Sequence, residues 1–561
     1  MKTTRRMIFL LALTAALGWP ANKLSPELAN LRADQSQDVI VRYKISPQAR
    51  HHQAVEQRGG RFKRNLELLN GAVYSVSTAV LQRLADDPEV EYVAPDRAVK
   101  ATLDYAEPAI NASIALKYGW NGSGVTVAVI DSGIMDTHPD LQNSAAQSRV
   151  VYAESFNHAE GNDYFDRYGH GTHVAGILGG DASMSSGSTY TRSFMGIAPM
   201  VRFVNLKVLD RNGAGTDSMV IAAIQRAIAL KSTYNIKIIN LSLGRPVMES
   251  YLLDPLCQAV EQAWKAGIVV IVAAGNEGRN NTKATGGYGT ITSPGNDPYV
   301  ITVGAMKDMK TLSRSDDQMA SYSSKGPTLF DQVVKPDLVA PGNKIMAALP
   351  TGLALTNTYP GNKVPLKYYV ANGTSQASNY YFEMSGTSMA TPMVAGAAAL
   401  LLQQQPSLTP NQIKAKLMKT ASKAFPLSTV STDPVTGAVY NVQNDVFTVG
   451  AGYLDVWAAL SNSDSISTSK TALSPTVQYN SSTRKVVLIN GVNVVWGDAN
   501  LGLNIVWGDQ VLQAGNIVWG DNIVWGDSAL SGFNIVWGDN IVWGDSTPSA
   551  ETIKIAIYGE N

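Results

Sequence analysis

Apolar stretches that are typical of buried β-strands alternate with amphipathic stretches that are typical of helices through the middle of the chain. The strand-like stretches are VTVAVI, VRFVNLKVL, KIINLSL, GIVVIVAA and VITVGA, and the helical ones include DSMVIAAIQRAIALKS and LCQAVEQAWKAG. Strands and helices that alternate in this way form right-handed βαβ units around a parallel sheet. The pattern therefore predicts an α/β domain over residues 110–460, with a mainly parallel sheet and helices on both of its faces.

A shorter pattern predicts a separate, small α+β domain over residues 38–100. The stretches DVIVRYK, GAVYSVS and VEYVAPD read as strands, ARHHQAVEQRGG reads as a helix and turn, and STAVLQRLADDP reads as an amphipathic helix. Alternation of apolar and polar residues is the signature of a half-buried strand, whereas the last of these stretches has the spacing of a helix.

A six-residue repeat dominates the end of the sequence. After a stretch rich in Ser, Thr and Asn, which predicts a linker over residues 461–490, the unit Asn-(Ile/Val)-Val-Trp-Gly-Asp recurs within residues 491–546; it begins at Asn493, Asn504, Asn516, Asn522, Asn534 and Asn540. The unit suits short β-strands joined by Gly-Asp-Asn turns, with Ile and Trp on one face and Val on the other. Two interpretations stay open: a β-rich stack held together by Trp packing, or a module whose exposed Trp side chains contact a surface or polymer. Residues 547–561 are predicted to be a C-terminal tail.

The first residues have the layout of a secretory signal peptide. Lys2, Arg5 and Arg6 precede an apolar stretch from Met7 to Gly18, and polar sequence follows. This stretch is too short to span a membrane comfortably. We therefore predict a signal peptide over residues 1–21 and export of the protein, with an uncleaved anchor as the alternative. No other apolar stretch approaches transmembrane length, so no membrane span is expected after signal removal.

Composition narrows the choice of partners. The chain has 561 residues, 45% of them apolar, which is enough for two or three packed units. Lys plus Arg and Asp plus Glu number 45 each, so no net charge attracts the protein to nucleic acid. Cys257 is the single cysteine, which excludes an intramolecular disulfide and suggests a buried spacer.

Three segments rich in small residues carry the candidate chemistry. They are VAVIDSGI, which contains Asp131, GHGTHVAG, which contains His170, and MSGTSMATP, which contains Ser388. A hydroxyl is almost un-ionised at neutral pH, so it needs a base to take its proton and a third group to orient that base. Asp131 also ends a predicted parallel strand, where functional residues of such sheets gather. The three segments predict a nucleophilic triad.

With further segments, these residues resemble the subtilisin family of serine peptidases over residues 110–460. The further segments are SLG at Ser242–Gly244, AAGNEG around Asn276, SPG at Ser293–Gly295, YSSKGP at Tyr322–Pro327 and KPDLVAPG at Lys335–Gly342. The resemblance implies a subtilisin-like three-layer fold and a serine endopeptidase whose partners are polypeptide substrates. Because residues 38–100 lie between a predicted signal peptide and this domain, we expect them to be a propeptide, which assists folding and inhibits the enzyme until a cut between Val93 and Ile110. An ordinary N-terminal domain is the alternative.

The resemblance implies a role for each catalytic residue. Ser388 would be the nucleophile, His170 the base and Asp131 the group that orients it, while Asn276 and the backbone N–H of Ser388 would form an oxyanion hole. His173 lies one turn after His170, and a zinc pair at this spacing lacks a third ligand. A structural role is the expectation for His173.

The resemblance also places the substrate. An extended peptide would lie between one segment that contains Gly213, Ala214 and Gly215 and another that contains Ser242, Leu243 and Gly244. The primary pocket would lie beside the second segment, with Ala274 and Gly275 in its wall. No acidic residue occupies these pocket strands, so we expect a broad or apolar specificity.

The reaction itself is expected to need no cofactor. Whether the protein binds a structural calcium ion is left open by the sequence. Asp140 in THPDL matches a position that supplies a calcium ligand in many relatives, whereas GDASMSSGSTYTRSF does not reproduce their Asn-rich loop. Asp140 is therefore the single candidate ligand. The stretch from Asn343 to Glu383 is longer than relatives usually carry, and it is predicted to be an insertion that shapes the rim of the cleft.

The sequence thus predicts a secreted, extracellular serine endopeptidase that is made as an autoprocessed precursor, with cell-surface association through the Trp repeats left open. Two other functions remain. A surface-binding protein could act through its Trp repeats and keep only the peptidase fold, or the triad could hydrolyse esters.

Overall fold

The computed structural model describes residues 23–25, 28, 36–96, 98–101, 108–282, 285–311, 313–464, 467–468, 471–480, 485–489, 518–519, 523–524 and 549–561. The predicted signal peptide lies outside these ranges. All but four residues of the predicted repeat region also lie outside them. Within the described ranges, no helix is both long enough and apolar enough to cross a membrane.

The N-terminal domain is a four-stranded antiparallel sheet in the order β2-β3-β1-β4, with two helices. Its elements are β1 Ser36–Tyr43, α1 Ala49–Gln57, β2 Arg61–Leu66, β3 Gly71–Ser77, α2 Thr78–Ala85 and β4 Val90–Pro95. Helix α2 buries Val80, Leu81 and Leu84 against the sheet side of the domain. The predicted strands and helices are present, and the polar strand β2 is an addition that apolar periodicity could not reveal.

The larger domain follows. In chain order its elements are β5 Ala98–Ala101, α3 Ala112–Lys117, β6 Thr126–Asp131, β7 Val150–Ser155, α4 His170–Gly179, β8 Arg202–Lys207, β9 Ala214–Thr216, α5 Asp217–Tyr234, β10 Ile236–Leu241, β11 Leu243–Gly244, α6 Pro255–Lys265, β12 Val269–Ala273, β13 Ile301–Lys307, β14 Gln318–Met319, β15 Leu338–Pro341, β16 Ile345–Ala348, α7 Ala354–Thr358, β17 Lys363–Pro365, α8 Leu366–Tyr369, β18 Ala377–Met384, α9 Thr387–Gln404, α10 Pro410–Thr420, β19 Ser428–Thr432, β20 Val439–Gln443, α11 Val446–Val449 and α12 Val456–Ser461.

An eight-stranded sheet forms the centre of this domain. Seven strands follow the order β14-β13-β12-β10-β6-β8-β7, and β15 also pairs with β13. All of these pairs are parallel except β13 with β14. Helices α4 and α9 pack together, as do α5 and α6, and they cover the sheet. The predicted α/β class, with its mainly parallel sheet, is confirmed.

Helix α9 is buried along almost its whole length. Its residues from Thr387 to Leu402 are all buried, and it contacts β10, β12 and β13. Small residues such as Gly396 and Ala397 let the helix approach its neighbours closely. The Ala-rich sequence is therefore explained by packing on every side of the helix rather than by one apolar face.

The insertion predicted over 343–383 forms a small sheet in the order β16-β18-β17. Its Tyr369 and Tyr381 pack with Phe194 in an aromatic cluster. On the other side, the N–H of Leu355 donates to the carbonyl of Tyr168 at 3.0 Å. Because Tyr168 lies two residues before His170, the insertion lies close to the predicted site.

The end of the chain contains elements that the sequence analysis did not predict. The linker predicted over 461–490 contains strands β21 Thr476–Asn480 and β22 Lys485–Ile489, which pair antiparallel. Two short strands follow, β23 Val518–Trp519 and β24 Ile523–Val524. The tail predicted over 547–561 contains helix α13, Ser549–Tyr558. Ile555, Ala556 and Ile557 are buried in the core of the larger domain. These elements contain apolar residues, such as KVVLI in β22 and IKIAIY in α13, but a short apolar stretch does not report which distant part of the fold it packs against.

A glycine in α9 tests the close packing of that helix. A Cβ added at Gly396 would lie 2.5 Å from the Cβ of Ile197. We expect Gly396→Ala to lower the free energy of unfolding by about 1–3 kcal/mol, despite the better helix propensity of Ala. Thermal unfolding in a Ser388→Ala background, which avoids self-digestion, measures the change. Gly361→Ala is the control, since no atom lies within 4 Å of the added Cβ; equal effects of both substitutions would contradict the packing argument.

Candidate active site

Asp131 and His170 meet at the carboxyl edge of the central sheet. Asp131 is the last residue of β6, and His170 is the first residue of α4. The Nδ1 atom of His170 lies 2.6 Å from Oδ1 of Asp131, and both side chains are buried. Since a carboxylate only accepts, Nδ1 carries the proton and Nε2 is the basic nitrogen. This is the tautomer that a general base needs.

Asp166 is a site residue that the sequence reasoning missed. Its Oδ1 accepts hydrogen bonds from the N–H of Gly169 at 2.7 Å and from Oγ of Ser132 at 2.9 Å, and its Oδ2 accepts from the N–H of Thr172 at 2.9 Å. Burial raises the pKa of this carboxyl, and the hydrogen bonds from Thr172 and Gly169 act in the opposite direction. Asp166 thereby joins the end of β6 to the first turn of α4. An Asp shortly before a helix start is the available sequence signal.

Ser388 is the second residue of α9. Its Oγ donates to the carbonyl of Ser242 at 3.0 Å, and Oγ of Ser242 donates to the carbonyl of Ser388 at 2.6 Å. The preceding Gly386 has φ +141, a backbone conformation that L side chains rarely adopt. The helix start therefore presents Ser388 beside backbone N–H groups and the positive end of the helix dipole.

Asn276 is held by the residue before Ser388. Its Oδ1 accepts from the N–H of Thr387 at 2.8 Å and from Oγ1 of Thr387 at 3.1 Å. Because a backbone N–H can only donate, the amide oxygen faces Thr387 and Nδ2 points away from it. Among the described residues, this buried Nδ2 has no hydrogen-bond partner. A buried donor without a partner costs free energy, which is explained if the donor serves a transient oxygen anion.

An extended segment of the chain itself fills the predicted substrate cleft. Strand β5 (Ala98–Ala101) lies between β9 and β11 and is antiparallel to both. Its Val99 pairs with Gly215, and its Lys100 pairs with both Ala214 and Gly244. Four of the eight predicted substrate residues, Ala214, Gly215, Leu243 and Gly244, thus pair with an extended peptide. Gly213 lies just before β9 with φ +72, and Ser242 instead holds the backbone of Ser388.

Thr292, which the sequence reasoning also missed, joins the two walls of the predicted pocket. Its N–H donates to the carbonyl of Ala274 at 3.0 Å. A Cβ on Gly275 would lie 2.7 Å from Cγ2 of Thr292, and one on Gly244 would lie 2.6 Å from its Oγ1. The glycines are therefore required by close approach to Thr292. No sequence signal beyond its position before SPG marks this residue.

An acidic group behind the pocket is neutralised by an arginine. Asp254 accepts from Oγ of Ser293 at 2.8 Å and forms an ion pair with Arg245 at 2.7 Å. Arg245 also pairs with the buried Asp217 at 3.0 Å. The carboxylates thus face a guanidinium rather than a ligand.

His173 packs inside the protein. It is buried, and its Nε2 lies 3.0 Å from the carbonyl of Phe382, to which it donates. Burial lowers the pKa of His173 to about 3, so the ring is neutral at neutral pH. These contacts fit the structural role that the sequence predicts. In the part of the chain that the structure describes, no group of three or more His, Cys, Asp or Glu side chains could hold a metal ion.

The surroundings of Asp140 do not fit a calcium site. Its Oδ1 accepts from Oγ of Ser183 at 3.1 Å and from the N–H of Met184 at 3.0 Å, and its Oδ2 accepts from the hydroxyl of Tyr381 at 2.7 Å. Calcium requires six to eight oxygen ligands, whereas hydrogen-bond donors surround this carboxylate. We therefore place no metal at Asp140. Tyr381 lies in the insertion, which the sequence alone could not connect with Asp140.

Known proteins share most of this chain. Residues 122–453 match the model of the subtilase family. Serine protease AprX of Bacillus subtilis is 37% identical over 377 residues, which cover 66% of this chain and 78% of that protein. Subtilisin E of Bacillus subtilis is 32% identical over 420 residues, which cover 74% and 92%. A thermostable alkaline protease of Halalkalibacterium halodurans is 33% identical over 344 residues, which cover 61% and 75%.

Replacing Asp166 by Asn tests whether it positions His170. The side-chain amide of Asn would place its own N–H donors opposite the backbone N–H groups that donate to Asp166, so the first turn of α4 would shift. We expect kcat/KM on a peptide anilide to fall about 10- to 100-fold. The control is Asp163→Asn in the same loop, because Asp163 forms a partly exposed ion pair with Arg167, which contributes little. Equal kinetics of both variants would exclude a positioning role for Asp166.

Proposed function

Because this chain belongs to the subtilase family and is a serine-type endopeptidase, we propose that it is secreted as an inactive precursor. In this proposal it processes itself and then cleaves peptides with broad or apolar specificity. The observation that carries the proposal is the pairing of β5 between β9 and β11. A segment of the chain occupies the cleft in the way that an extended peptide substrate would.

The proposed reaction begins at Ser388. Its Oγ attacks the carbonyl carbon of the substrate while Nε2 of His170 takes the hydroxyl proton, and the electron pair of the C=O bond moves onto the oxygen. Collapse of this intermediate breaks the C–N bond, and His170 returns the proton to the leaving amine. Water then releases the acyl group by the same two steps. Asp131 keeps its charge and stabilises the imidazolium through the 2.6 Å hydrogen bond.

Asn276 and the N–H of Ser388 hold the oxygen anion in this proposal. Asn276 has a buried Nδ2 without a partner among the described residues, and Thr387 orients the amide. A neutral donor that is already oriented stabilises the charge only when it develops. This arrangement raises kcat rather than substrate affinity.

The N-terminal domain acts as an inhibitor in this proposal. Asp96, which directly follows β4, accepts a hydrogen bond from the N–H of Ser218 at 2.5 Å in the first turn of α5. Ile40, Leu66 and Val73 of this domain belong to the same hydrophobic cluster as the larger domain. Two further residues beyond Asp96, the chain enters the cleft as β5. The cut that matures the enzyme would fall after β5 and before Ile110.

Broad or apolar specificity is supported by the pocket. Its walls contain Gly244, Ala274, Gly275 and Thr292, and the nearby Asp254 is paired with Arg245. An unpaired carboxylate would favour cationic side chains, and none of these residues supplies one. A strand-like cleft also favours peptides over simple esters, because it supplies backbone hydrogen bonds along an extended chain.

Secretion is supported by the predicted signal peptide and by the family of the chain. The alternative function, in which the Trp repeats bind a surface, concerns residues that lie mainly outside the described ranges. It therefore stays a prediction from the sequence.

Removing the nucleophile tests autoprocessing. We expect the exported wild-type protein to be shortened to a product that begins after Ala101 and no later than Ile110, because β5 must leave the cleft. Ser388→Ala should lose only its signal peptide and should not degrade casein. N-terminal sequencing and mass spectrometry measure the products. Ser407→Ala, at an exposed position, is the control. A shortened Ser388→Ala protein, made in a host without extracellular proteases, would contradict self-processing.

Replacing Asn276 tests the oxyanion hole. We expect Asn276→Ala to lower kcat by about 10²–10³, a magnitude taken over from the corresponding change in subtilisin, while KM changes less than about threefold. Kinetics with a peptide anilide that has an apolar residue before the cleaved bond measure both constants. Thr282→Ala is the control, because Thr282 is an exposed residue of the same loop. An unchanged kcat in Asn276→Ala would disprove the assignment.

A further inference from the structure

Residues 549–561, which we call the 549–561 segment, pack as part of the larger domain. The N–H of Ser385 donates to the carbonyl of Ala556 at 2.8 Å, and Nδ2 of Asn362 donates to the carbonyl of Ile557 at 2.5 Å. Ile555, Ala556 and Ile557 are buried. The segment therefore fills a position in the core rather than resting on the surface.

Glu560 places a buried carboxylate beside an arginine. Its Oε1 accepts from the N–H of Ser321 at 2.7 Å, and its Oε2 accepts from Oγ of Ser321 at 2.5 Å and from Nη2 of Arg279 at 2.8 Å. The side chains of Glu560 and Arg279 are 0% and 2% exposed. Charge-assisted hydrogen bonds in such surroundings are strong, and loss of one partner leaves the other buried charge short of acceptors.

Arg279 belongs to the loop that carries Asn276. This loop is held to residues 321–324: the N–H of Gly278 donates to the carbonyl of Tyr322 at 2.8 Å, and the N–H of Glu277 donates to Oγ of Ser324 at 3.0 Å. A Cβ on Gly278 would lie 2.0 Å from the carbonyl oxygen of Ser323. Two segments packed this closely move together. Glu560 therefore binds both segments at the end nearest to Arg279.

A second route leads from the same residue to the nucleophile. The side-chain amide of Asn343 accepts from the N–H of Glu560 and donates to its carbonyl, both at 3.0 Å. Gly559 has φ +59, and a Cβ there would lie 2.4 Å from Oγ of Ser385. Ser385 lies three residues before Ser388. The 549–561 segment thus contacts both loops that form the oxyanion hole.

We propose that Glu560 is a positioning residue for the oxyanion hole, and that it acts through Arg279 on the placement of Asn276. The inference deepens the proposed function and rests on the oxyanion role of Asn276. Without the carboxylate, the N–H of Ser321 loses its acceptor, whereas Arg279 keeps Oγ of Ser321 at 2.9 Å and its other ion-pair partner, Asp433, at 2.6 Å. The loop would then shift toward Asp433 and carry Nδ2 of Asn276 away from the oxygen anion.

A double-mutant cycle on the full chain tests this proposal. We expect Glu560→Gln, which keeps the shape but removes the charge, to lower kcat about 10-fold with KM unchanged within about twofold. In an Asn276→Ala background, the same substitution should lower kcat less than about twofold, because the donor that it positions is already absent. Titration with a fluorophosphonate counts competent sites, so that kcat refers to folded enzyme. The control is Lys554→Gln, an exposed position in the same segment, which should leave kcat unchanged.

Each result decides the proposal. An equal fold-loss of kcat in both backgrounds would show a purely structural role and overturn it, as would an unchanged kcat in Glu560→Gln. If Asn276→Ala itself kept the wild-type kcat, the oxyanion role would fail and this inference with it; if only Glu560→Gln were silent, the inference alone would fail. Should Glu560→Gln not fold, Arg279→Lys takes its place. A lysine keeps the positive charge but cannot contact Ser321, Asp433 and Glu560 at once. We expect Arg279→Lys to lower kcat in the wild-type background and to have little effect in the Asn276→Ala background.

Discussion

The hydrogen bond between Asp131 and His170 is the interaction on which the rest of the site depends. It joins the carboxyl end of a central strand to the first residue of a helix at 2.6 Å, in the buried interior. A buried carboxylate is costly unless donors surround it, and the N–H of Ser132 supplies a second donor at 2.7 Å. The bond can hold the imidazole in one tautomer only if strand and helix are fixed relative to each other.

That rigidity comes from polar residues that join distant segments of the chain. Asp166 binds the end of β6 and the start of α4, Thr387 orients Asn276, and Ser242 and Ser388 exchange hydrogen bonds. Each of these contacts satisfies a buried polar group that would otherwise destabilise the fold. Among the described residues of the site, Oδ2 of Asp131 and Nδ2 of Asn276 are buried without a hydrogen-bond partner, and Nδ2 of Asn276 is the group with a proposed role in the transition state. Stability and catalysis therefore use the same network.

The same edge of the sheet accepts extended backbone. Strand β5 lies between the two short strands β9 and β11 and completes a three-stranded sheet. Binding of an extended segment in this cleft therefore relies on main-chain groups that every peptide has. A cleft of this kind can hold the protein's own N-terminal segment and, in the proposed function, varied peptide substrates. The insertion contacts this region through the hydrogen bond from the N–H of Leu355 to the carbonyl of Tyr168.

The sequence by itself was sufficient for the α/β class, because long apolar strands alternate with helices. It also predicted Asp131, His170, Asn276 and Ser388 as candidate site residues, because each lies in a distinctive segment of small residues that resembles a known family. The tertiary structure alone decided the residues whose role depends on a distant partner. Thr292 and Tyr381 have no motif signal of their own, and the Asp166 signal, an Asp before a helix start, does not report its partners; the roles of all three arise from contacts with other segments. Glu560 is the clearest case: it lies 281 residues from Arg279, in a stretch whose composition predicts a tail. Local periodicity reports which face of an element is buried, but it does not report which distant charge will be buried beside it.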